Sequence, residues 1–271
     1  MIYKLKILNK KNFLYAVFKI LYKFFKFNFF YSLMVIFYPK NNNLMSKINF
    51  FNKNINLKNK KKLKIKGTNI LELGGGNLFG LFPYFIKKKC KSFTNLDPFI
   101  ENNPSKFSIT RFFFKKKINK FFIFKDKHFK NYKQEKEIQK IKDRFDIIVS
   151  LSCLEHIESL EKTFSNLKFL TKKKHNQFHI INFSNHIDKN YPFKDLYELH
   201  PNDFKKKYNN NINFLRISDY EKLLKKKKFI YKKKILDTSP ILNIRLHPYW
   251  KKYSTNELKI RTVLLTISAR K

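Results

Sequence analysis

All five glycines of the chain lie between Gly67 and Gly80, and this clustering constrains the fold more than any other feature. Residues 70–80 read ILELGGGNLFG, a short apolar run that ends at three consecutive glycines. The run predicts a β-strand that leads into a helix. Glycines at such a junction allow positive φ angles and let a ligand approach the backbone at the helix N-terminus. We therefore favour a ligand-binding turn over a tight turn that serves the fold alone.

Strand-like and helix-like segments alternate from Leu63 onward. The predicted strands are Asn69–Leu73, Ser92–Leu96, Phe121–Phe124 (with a hairpin partner at Thr110–Phe114), Phe145–Leu151, Phe178–Phe183, Phe229–Ile235 and Thr262–Ser268. The predicted helices are Leu78–Lys89, interrupted or restarted at Pro83, Tyr132–Lys142, Glu158–Leu170 and Ile217–Lys228. This alternation predicts parallel strands joined by crossover helices, the doubly wound α/β class.

The first 62 residues differ in composition from the rest. Residues 13–38 are mostly aromatic and aliphatic, and the polar residues Asn12, Lys19, Lys23 and Lys26 share one helical stripe, as in a basic amphipathic helix. The longest uncharged stretch is too short to span a bilayer. Residues 41–62, rich in Lys and Asn, predict a linker. We thus expect an N-terminal extension over residues 1–62 and one domain over residues 63–271.

Two interpretations of the N-terminal helix stay open. It can lie on an anionic membrane through residues 10–38, or its apolar face can pack on the domain or on a second copy. The two cysteines, Cys90 and Cys153, are too few for a disulfide framework or a multi-cysteine zinc site. We therefore predict no metal site and expect a reduced, cytoplasmic protein with a peripheral membrane contact as its only membrane association.

The formal charge of +41 invites a nucleic-acid interpretation, but the pattern does not favour it. Of the 60 basic residues only six are arginine, and the lysine runs are scattered along the chain. Lys, Asn, Ile and Phe are all abundant and share A/T-rich codons, so biased base composition accounts for the excess. A specific nucleic-acid site more often clusters its charge and includes arginine. We expect weak polyanion attraction and no specific nucleic-acid partner.

Two segments carry a family resemblance. Glu72-Leu-Gly74-Gly75-Gly76 resembles motif I of class I S-adenosylmethionine-dependent methyltransferases, and residues 145–157, FDIIVSLSCLEHI, resemble the fourth-strand signature FDxIxSxxxLEHI of their small-molecule members. The resemblance implies a Rossmann-like, mostly parallel seven-stranded sheet with an antiparallel C-terminal strand. It also implies S-adenosyl-L-methionine as cofactor.

The resemblance also implies which residues hold the cofactor. They are Glu72, Gly74, Gly75, Gly76 and Asn77 of the glycine loop, Asp97 after the second strand, Asp126 near the adenine, and Ser150. Asp97 stands 21 residues after Gly76, where an acid binds ribose hydroxyls. Because dinucleotide enzymes place an acid there too, Asp97 alone does not discriminate between the two cofactors.

The C-terminal third is similar to methyltransferases that act in surface-glycan biosynthesis. Residues 213–220, NFLRISDY, resemble their NRLRxSD segment, and Asn182-Phe-Ser-Asn185-His186 resembles an Asp-x-x-Asp-His element in which both acids are Asn here. The candidate proton acceptors are His156, His179, His186 and His200. We favour His186, which follows the fifth strand at the edge where open α/β sheets bind ligands, and keep His156 as a second catalytic candidate.

These features predict a methyltransferase that acts on a small-molecule or glycan-linked acceptor. Residues 184–212 are either an insertion that covers the acceptor or a surface loop. Two other functions stay open. The charge favours an RNA methyltransferase, although the Asn/Asp-Pro-Pro-Tyr/Phe element of base-directed enzymes is absent after the fourth strand. The Asn residues at positions 182 and 185 favour an inactive methyltransferase fold that serves as a binding or scaffold protein.

Overall fold

The computed structural model describes residues 10–25, 30, 33, 44–56, 63–76, 80–98, 130–188, 190–241 and 244–268. Its α-helices are α1 (Lys10–Phe25), α2 (Leu44–Asn56), α3 (Phe82–Lys87), α4 (Leu160–Leu170), α5 (Pro201–Tyr208), α6 (Ile217–Lys226) and α7 (Thr255–Leu258). Its strands are β1 (Asn69–Leu73), β2 (Ser92–Leu96), β3 (Tyr132–Glu135), β4 (Phe145–Leu151), β5 (Thr171–Asn182), β6 (Ile230–Thr238) and β7 (Ile260–Ser268). Short 3₁₀ helices lie at Ile138–Lys140, Leu154–His156 and Pro248–Lys252.

The seven strands form one sheet in the order β3-β2-β1-β4-β5-β7-β6. All neighbouring pairs from β3 to β5 are parallel, and β7 runs antiparallel to both β5 and β6. The central strands β1 and β4 are buried on both faces, as expected for apolar strands covered by helices on each side. The predicted doubly wound sheet with an antiparallel C-terminal strand is confirmed.

Apolar side chains cover the sheet on both faces and form a third cluster beyond its edge. One core joins α2 and α3 to the sheet, and the other joins α4 and α6 to its opposite face. The third cluster packs residues 193–214 against residues 246–258 around the fully buried ring of Trp250. Residues 193–212 are therefore packed into the protein, whereas Ile187 and Tyr191, earlier in the segment 184–212, are at least half exposed.

The helix α2 corrects the predicted linker over residues 41–62. Ile48, Phe51 and Ile55 recur at a helical spacing and are all buried. The ring of Phe51 makes edge-on contacts with Tyr84 and Phe85 of α3, at centroid distances of 5.7 and 5.9 Å. The polar surface of α2 concealed this short apolar stripe, so composition alone indicated a linker.

The region before β4 also differs from the sequence prediction. Residues 132–142 do not form a helix: they form β3 and the 3₁₀ helix Ile138–Lys140. Backbone pairing with β2 decides this, because Phe93 aligns with Tyr132 in the sheet and the two rings stack at 6.2 Å. The segments predicted as Phe121–Phe124 and Thr110–Phe114 lie outside the described residues. The predicted helix Leu78–Lys89 is shorter, with Pro83 in its first turn, where proline is tolerated.

The N-terminal helix α1 exposes several large apolar side chains. Phe13, Ile20, Phe24 and Phe25 are each more than half exposed. Among the described residues, no helix has the length and apolar character needed to cross a membrane.

Neighbouring phenylalanines of α2 provide a matched test of its packing. We expect Phe51→Ala to lower the free energy of unfolding by about 3–5 kcal/mol, because it empties a site in the core. Phe50→Ala, at a side chain that is 40% exposed, should change it by no more than about 0.5 kcal/mol. Chemical denaturation measures both. Equal, small losses would contradict the inclusion of α2 in the core.

Candidate functional site

The carboxyl ends of β1, β2 and β4 lie side by side in the middle of the sheet. Leu73 aligns with Leu96 on one side and with Ser150 on the other. The chain leaves β1 toward one face and β4 toward the other, and open α/β sheets bind ligands at such a point. A cleft of about 630 Å³ opens here, which is within the usual range for small-molecule sites.

The lining of the cleft comes from five segments. It consists of Leu73, Gly74, Leu96, Asp97, Pro98, Lys136, Glu137, Ile138, Gln139, Ser152, Cys153, His156, Ile157, Glu158, Thr163 and Asn211. The sequence analysis found Gly74, Asp97 and His156 among these. It missed residues 136–139, because a helix was predicted where β3 ends, and it missed Asn211, which comes from the distant segment 184–212.

The glycine loop after β1 is tied to the end of β2 by three backbone donors. The amide of Gly74 donates to the carbonyl of Leu96 at 2.9 Å. The amides of Gly75 and Gly76 donate to the side chains of Asn95 and Asp97, at 3.1 and 2.8 Å. These bonds hold the loop beside the carboxylate of Asp97, so loop and carboxylate form one edge of the cleft.

Gly74 allows this loop to touch the loop after β4. Its φ is +71°, a region that favours glycine, and a Cβ at this position would lie 2.6 Å from Sγ of Cys153. Gly76 also has a positive φ of +69°, but a Cβ there would meet nothing within 4 Å. Gly74 is thus required by close approach and by conformation, and Gly76 by conformation alone.

Glu72 lies beneath the glycine loop and does not line the cleft. Its side chain is buried and accepts a hydrogen bond from the amide of Leu81 at 2.9 Å. Burial raises the pKa of Glu72 to about 8, against the lowering effect of this bond. A Cβ on Gly80 would collide with the same carboxylate. Glu72 therefore positions the loop and the start of α3.

The other predicted cofactor residues are distributed unevenly. Asn77 and Asp126 lie outside the described residues. Ser150 lies in the core instead of the cleft, where its hydroxyl pairs with Nδ1 of His179 at 2.8 Å. Ser150 lies on β4 and points to the same face of the sheet as His179, whose ring contacts Phe164 of α4. The fourth-strand signature does not reveal this orientation.

Two of the four candidate histidines have structural roles. His179 is fully buried and contacts Gln177 through its other ring nitrogen, and desolvation lowers its pKa to about 3. The ring is therefore neutral near pH 7. His200 caps α5, with Nδ1 accepting from the amide of Asn202 at 3.3 Å. Neither side chain lines the cleft.

The other two histidines meet beside a buried carboxylate. The rings of His156 and His186 contact each other edge-on at a centroid distance of 4.9 Å. Nε2 of His186 lies 3.8 Å from Oε1 of Glu155, and that oxygen also accepts from the amide of Asn182 at 3.2 Å. Burial raises the pKa of Glu155 to about 8. The sequence analysis passed over Glu155, although its place in Leu-Glu-His was a usable signal.

Asn213 holds this cluster in place. Its side-chain amide donates to the carbonyls of Leu154 and Ile157, at 2.8 and 3.0 Å, and its backbone amide donates to the carbonyl of Glu155 at 2.7 Å. These bonds span the 3₁₀ helix that carries Glu155 and His156. Asn213, the first residue of the NFLRISD segment, therefore binds the backbone of the fourth-strand signature through three hydrogen bonds.

Asn185 shapes the turn that carries His186. Its side-chain amide donates to the carbonyls of Tyr191 and Lys194, and its side-chain oxygen accepts from the amides of Ile187 and Asp188. A carboxylate cannot donate, so an acid at this position would lose two of these bonds. Asn185 thus acts as a structural residue in this chain.

The fold and the cleft together define a class I methyltransferase domain, and comparison with known proteins agrees. A family model described as a methyltransferase domain matches residues 42–229, and the chain belongs to this family. The predictions of a methyltransferase and of S-adenosylmethionine, the methyl donor of this class, are confirmed at this level. A comparison with curated protein sequences gave no match.

Two solved structures resemble the chain at low sequence identity, and the first has the same fold. Phosphoethanolamine N-methyltransferase 2 of Haemonchus contortus, in complex with S-adenosyl-L-methionine, has a TM-score of 0.50 and 15% identity over 82% of this chain. The match covers 53% of that enzyme, so the chain spans about half its length. Magnesium protoporphyrin IX methyltransferase of Synechocystis PCC 6803, with bound SAH, has a TM-score of 0.49 and 10% identity, covering 93% of this chain and 99% of that one.

The two loop glycines provide a matched pair of variants. We expect Gly76→Ala to cost about 1–2 kcal/mol in unfolding free energy, from backbone strain alone. Gly74→Ala should cost a further ~1–3 kcal/mol from the collision with Cys153. Adding Cys153→Gly to Gly74→Ala should recover this further cost. Denaturant titration of the set tests this, and a Gly74→Ala variant no less stable than Gly76→Ala would refute the close contact.

Proposed function

We propose that the protein transfers a methyl group from S-adenosylmethionine to a hydroxyl of a small-molecule or glycan-linked acceptor. The observation that carries this proposal is the pairing of His186 with Glu155 beside a cleft that has the glycine loop and Asp97 on its other side. The cleft thus has a cofactor-binding edge at the glycine loop and a second edge at His156, whose ring contacts His186. His186 and Glu155 adjoin this second edge and do not line the cleft themselves.

The residues of the first edge fit the cofactor. The loop at Gly74–Gly76 has no side chains to block a ligand, and Asp97 presents a carboxylate that can accept hydrogen bonds from ribose hydroxyls. Cys153 and Ile157 provide apolar walls that exclude water. When bound, S-adenosylmethionine supplies an electrophilic methyl group and a neutral sulfide leaving group.

On the second edge, His186 is the group we assign to take the acceptor's proton. Its neutral ring can accept a proton from a hydroxyl. Because burial raises the pKa of Glu155 to about 8, the resulting imidazolium is stabilised by the ionised form of Glu155, which becomes the main form only above that pH. His156, in edge-on contact with His186 and part of the cleft lining, positions the acceptor. Asn211 adds a polar group from segment 184–212, which supports the proposal that this segment covers the acceptor.

The two alternative functions have weaker support. An RNA methyltransferase is favoured by charge alone, whereas the lining of the cleft carries three acidic side chains, Asp97, Glu137 and Glu158, against one lysine, Lys136. That local charge does not suit a polyanion. An inactive scaffold is favoured by Asn182 and Asn185, but Asn185 has its own hydrogen-bonding role and the Glu155–His186 pair is retained.

Methyl transfer and cofactor binding can be tested together. We expect full-length protein, given labelled S-adenosylmethionine and a cell extract, to label the low-molecular-weight or glycan fraction. Asp97→Ala should weaken cofactor affinity about 10–100-fold, from the loss of charge-assisted hydrogen bonds, and should reduce labelling accordingly. Calorimetry measures the affinity. Asp143→Ala is the control, because that exposed carboxylate pairs with Lys133 away from the cleft.

Each alternative has its own outcome in the same assay. Label that becomes soluble on ribonuclease treatment would identify an RNA methyltransferase. Cofactor binding without any transfer would identify a binding or scaffold protein. Unchanged affinity in Asp97→Ala would remove Asp97 from the site.

We also propose that the N-terminal region contacts an anionic membrane surface. The support is the exposure of Phe13, Ile20, Phe24 and Phe25 on α1, a helix that also carries lysines. Such side chains can enter the interface while the lysines attract anionic lipid. This makes the expected cytoplasmic protein a peripheral membrane protein.

Two equally exposed phenylalanines separate this contact from charge alone. Full-length protein should sediment with phosphatidylserine-containing vesicles more than with neutral ones. Phe24→Ser should weaken vesicle binding about tenfold or more, because the variant lacks the aromatic ring whose transfer from water into the bilayer favours binding. Phe169→Ser on α4 should leave vesicle binding unchanged. Phe24 is 75% exposed and Phe169 is 73% exposed. Equal binding by both variants would leave only nonspecific charge attraction.

A further inference from the structure

We propose that Glu155, His156 and His186 form a binding site for a divalent transition-metal ion, with Zn²⁺ as the preferred ion. Each of these side chains offers one ligand atom, and the three atoms lie within 4.8 Å of one another. Two imidazoles and one carboxylate are a common ligand set for catalytic zinc, which keeps a fourth position open. The site goes beyond the proposed methyl transfer and does not depend on it.

The distances require only a modest closure. A tetrahedral zinc ion about 2.1 Å from each ligand holds the ligand atoms roughly 3.4 Å apart. Nε2 of His186 and Oε1 of Glu155, at 3.8 Å, are already close to that separation. Nε2 of His186 also lies 3.3 Å from the carbonyl of Asn182, so the ring must turn from that carbonyl toward the ion, while the buried carboxylate of Glu155 stays fixed.

The buried carboxylate has an unused oxygen. Glu155 is only 3% exposed, and its Oε2 makes no hydrogen bond to any of the described residues. A buried polar atom without a partner costs free energy, and a cation beside it removes that cost. This observation points to a ligand independently of the clustering of the three side chains.

The surroundings orient the ligands as metal sites require. Nδ1 of His156 lies 3.4 Å from the carbonyl of Asn211, and donation to that carbonyl leaves Nε2 as the unprotonated ligand atom. The clamp from Asn213 fixes the backbone of Glu155 and His156 from the other side. Each anchor comes from segment 211–213, so the site forms only in the folded chain.

The charge and the ligand types favour zinc over magnesium. Although the chain carries a net +41, the lining of the cleft carries three acidic side chains, Asp97, Glu137 and Glu158, against one lysine, Lys136, so the region is locally acidic. Imidazole nitrogens suit Zn²⁺, Co²⁺ and Ni²⁺, whereas Mg²⁺ prefers oxygen ligands alone. Because His156 lines the cleft, a bound ion lies where an acceptor oxygen can reach its open position.

The test measures metal binding without the cofactor. Untagged full-length protein is stripped with a chelator, then titrated with Zn²⁺ by calorimetry and with Co²⁺ by visible absorption. We expect one Zn²⁺ per chain and an intense Co²⁺ spectrum typical of tetrahedral nitrogen and oxygen ligands. His186→Gln and Glu155→Gln should each weaken Zn²⁺ binding at least ~100-fold, since removal of a ligand costs no less than removal of an outer-shell partner.

The control variant is His175→Gln, at the opposite end of β5, which should bind Zn²⁺ as the wild type does. The side chain of His186 is less buried than that of Glu155 (20% against 4% exposed), so His186→Gln should fold even where Glu155→Gln is unstable, and circular dichroism checks this. Absence of stoichiometric Zn²⁺ binding, wild-type affinity in His186→Gln, or a Co²⁺–thiolate band from a cysteine would each overturn the proposal.

Discussion

The close contact between Gly74 and Cys153 brings together the loops that follow the two central strands. Because a Cβ on Gly74 would lie 2.6 Å from Sγ of Cys153, the two loops can meet only if this position is glycine. Their contact forms the floor of the cleft, with Asp97 on one side and His156 on the other. The two loops can touch because β1 lies beside β4 in the sheet. The strand order therefore determines the geometry of the site.

Two buried carboxyl groups support the segments on either side of the cleft, in a chain that is otherwise strongly basic. Glu72 supports the glycine loop and Glu155 supports the histidine pair, and burial raises the pKa of each to about 8. Each carboxylate accepts a backbone amide, which holds the local turn. The lining of the cleft carries three acidic side chains, Asp97, Glu137 and Glu158, against one lysine, Lys136, so the net charge of +41 does not describe the cleft.

Predicted and observed elements agree best where the local sequence pattern and the tertiary packing favour the same structure. The boundaries of β1, β2 and β4 were predicted correctly, because buried parallel strands read as apolar runs. The predictions of a linker at α2 and of a helix at β3 were wrong. Three buried side chains in a polar, asparagine-rich segment make α2 part of the core. For β3, pairing with β2 outweighs a local sequence that favours a helix.

The sequence by itself determined the strand–glycine–helix turn, the fourth-strand signature and the doubly wound class, since each depends on neighbours within about a dozen residues. Only the tertiary structure decided which side chains share the cleft. Glu155 and His186 are separated by α4, β5 and a turn, and Asn213 binds a 3₁₀ helix more than fifty residues earlier. Ser150 was predicted to bind the cofactor, but successive side chains of β4 point to opposite faces of the sheet, and Ser150 points into the core.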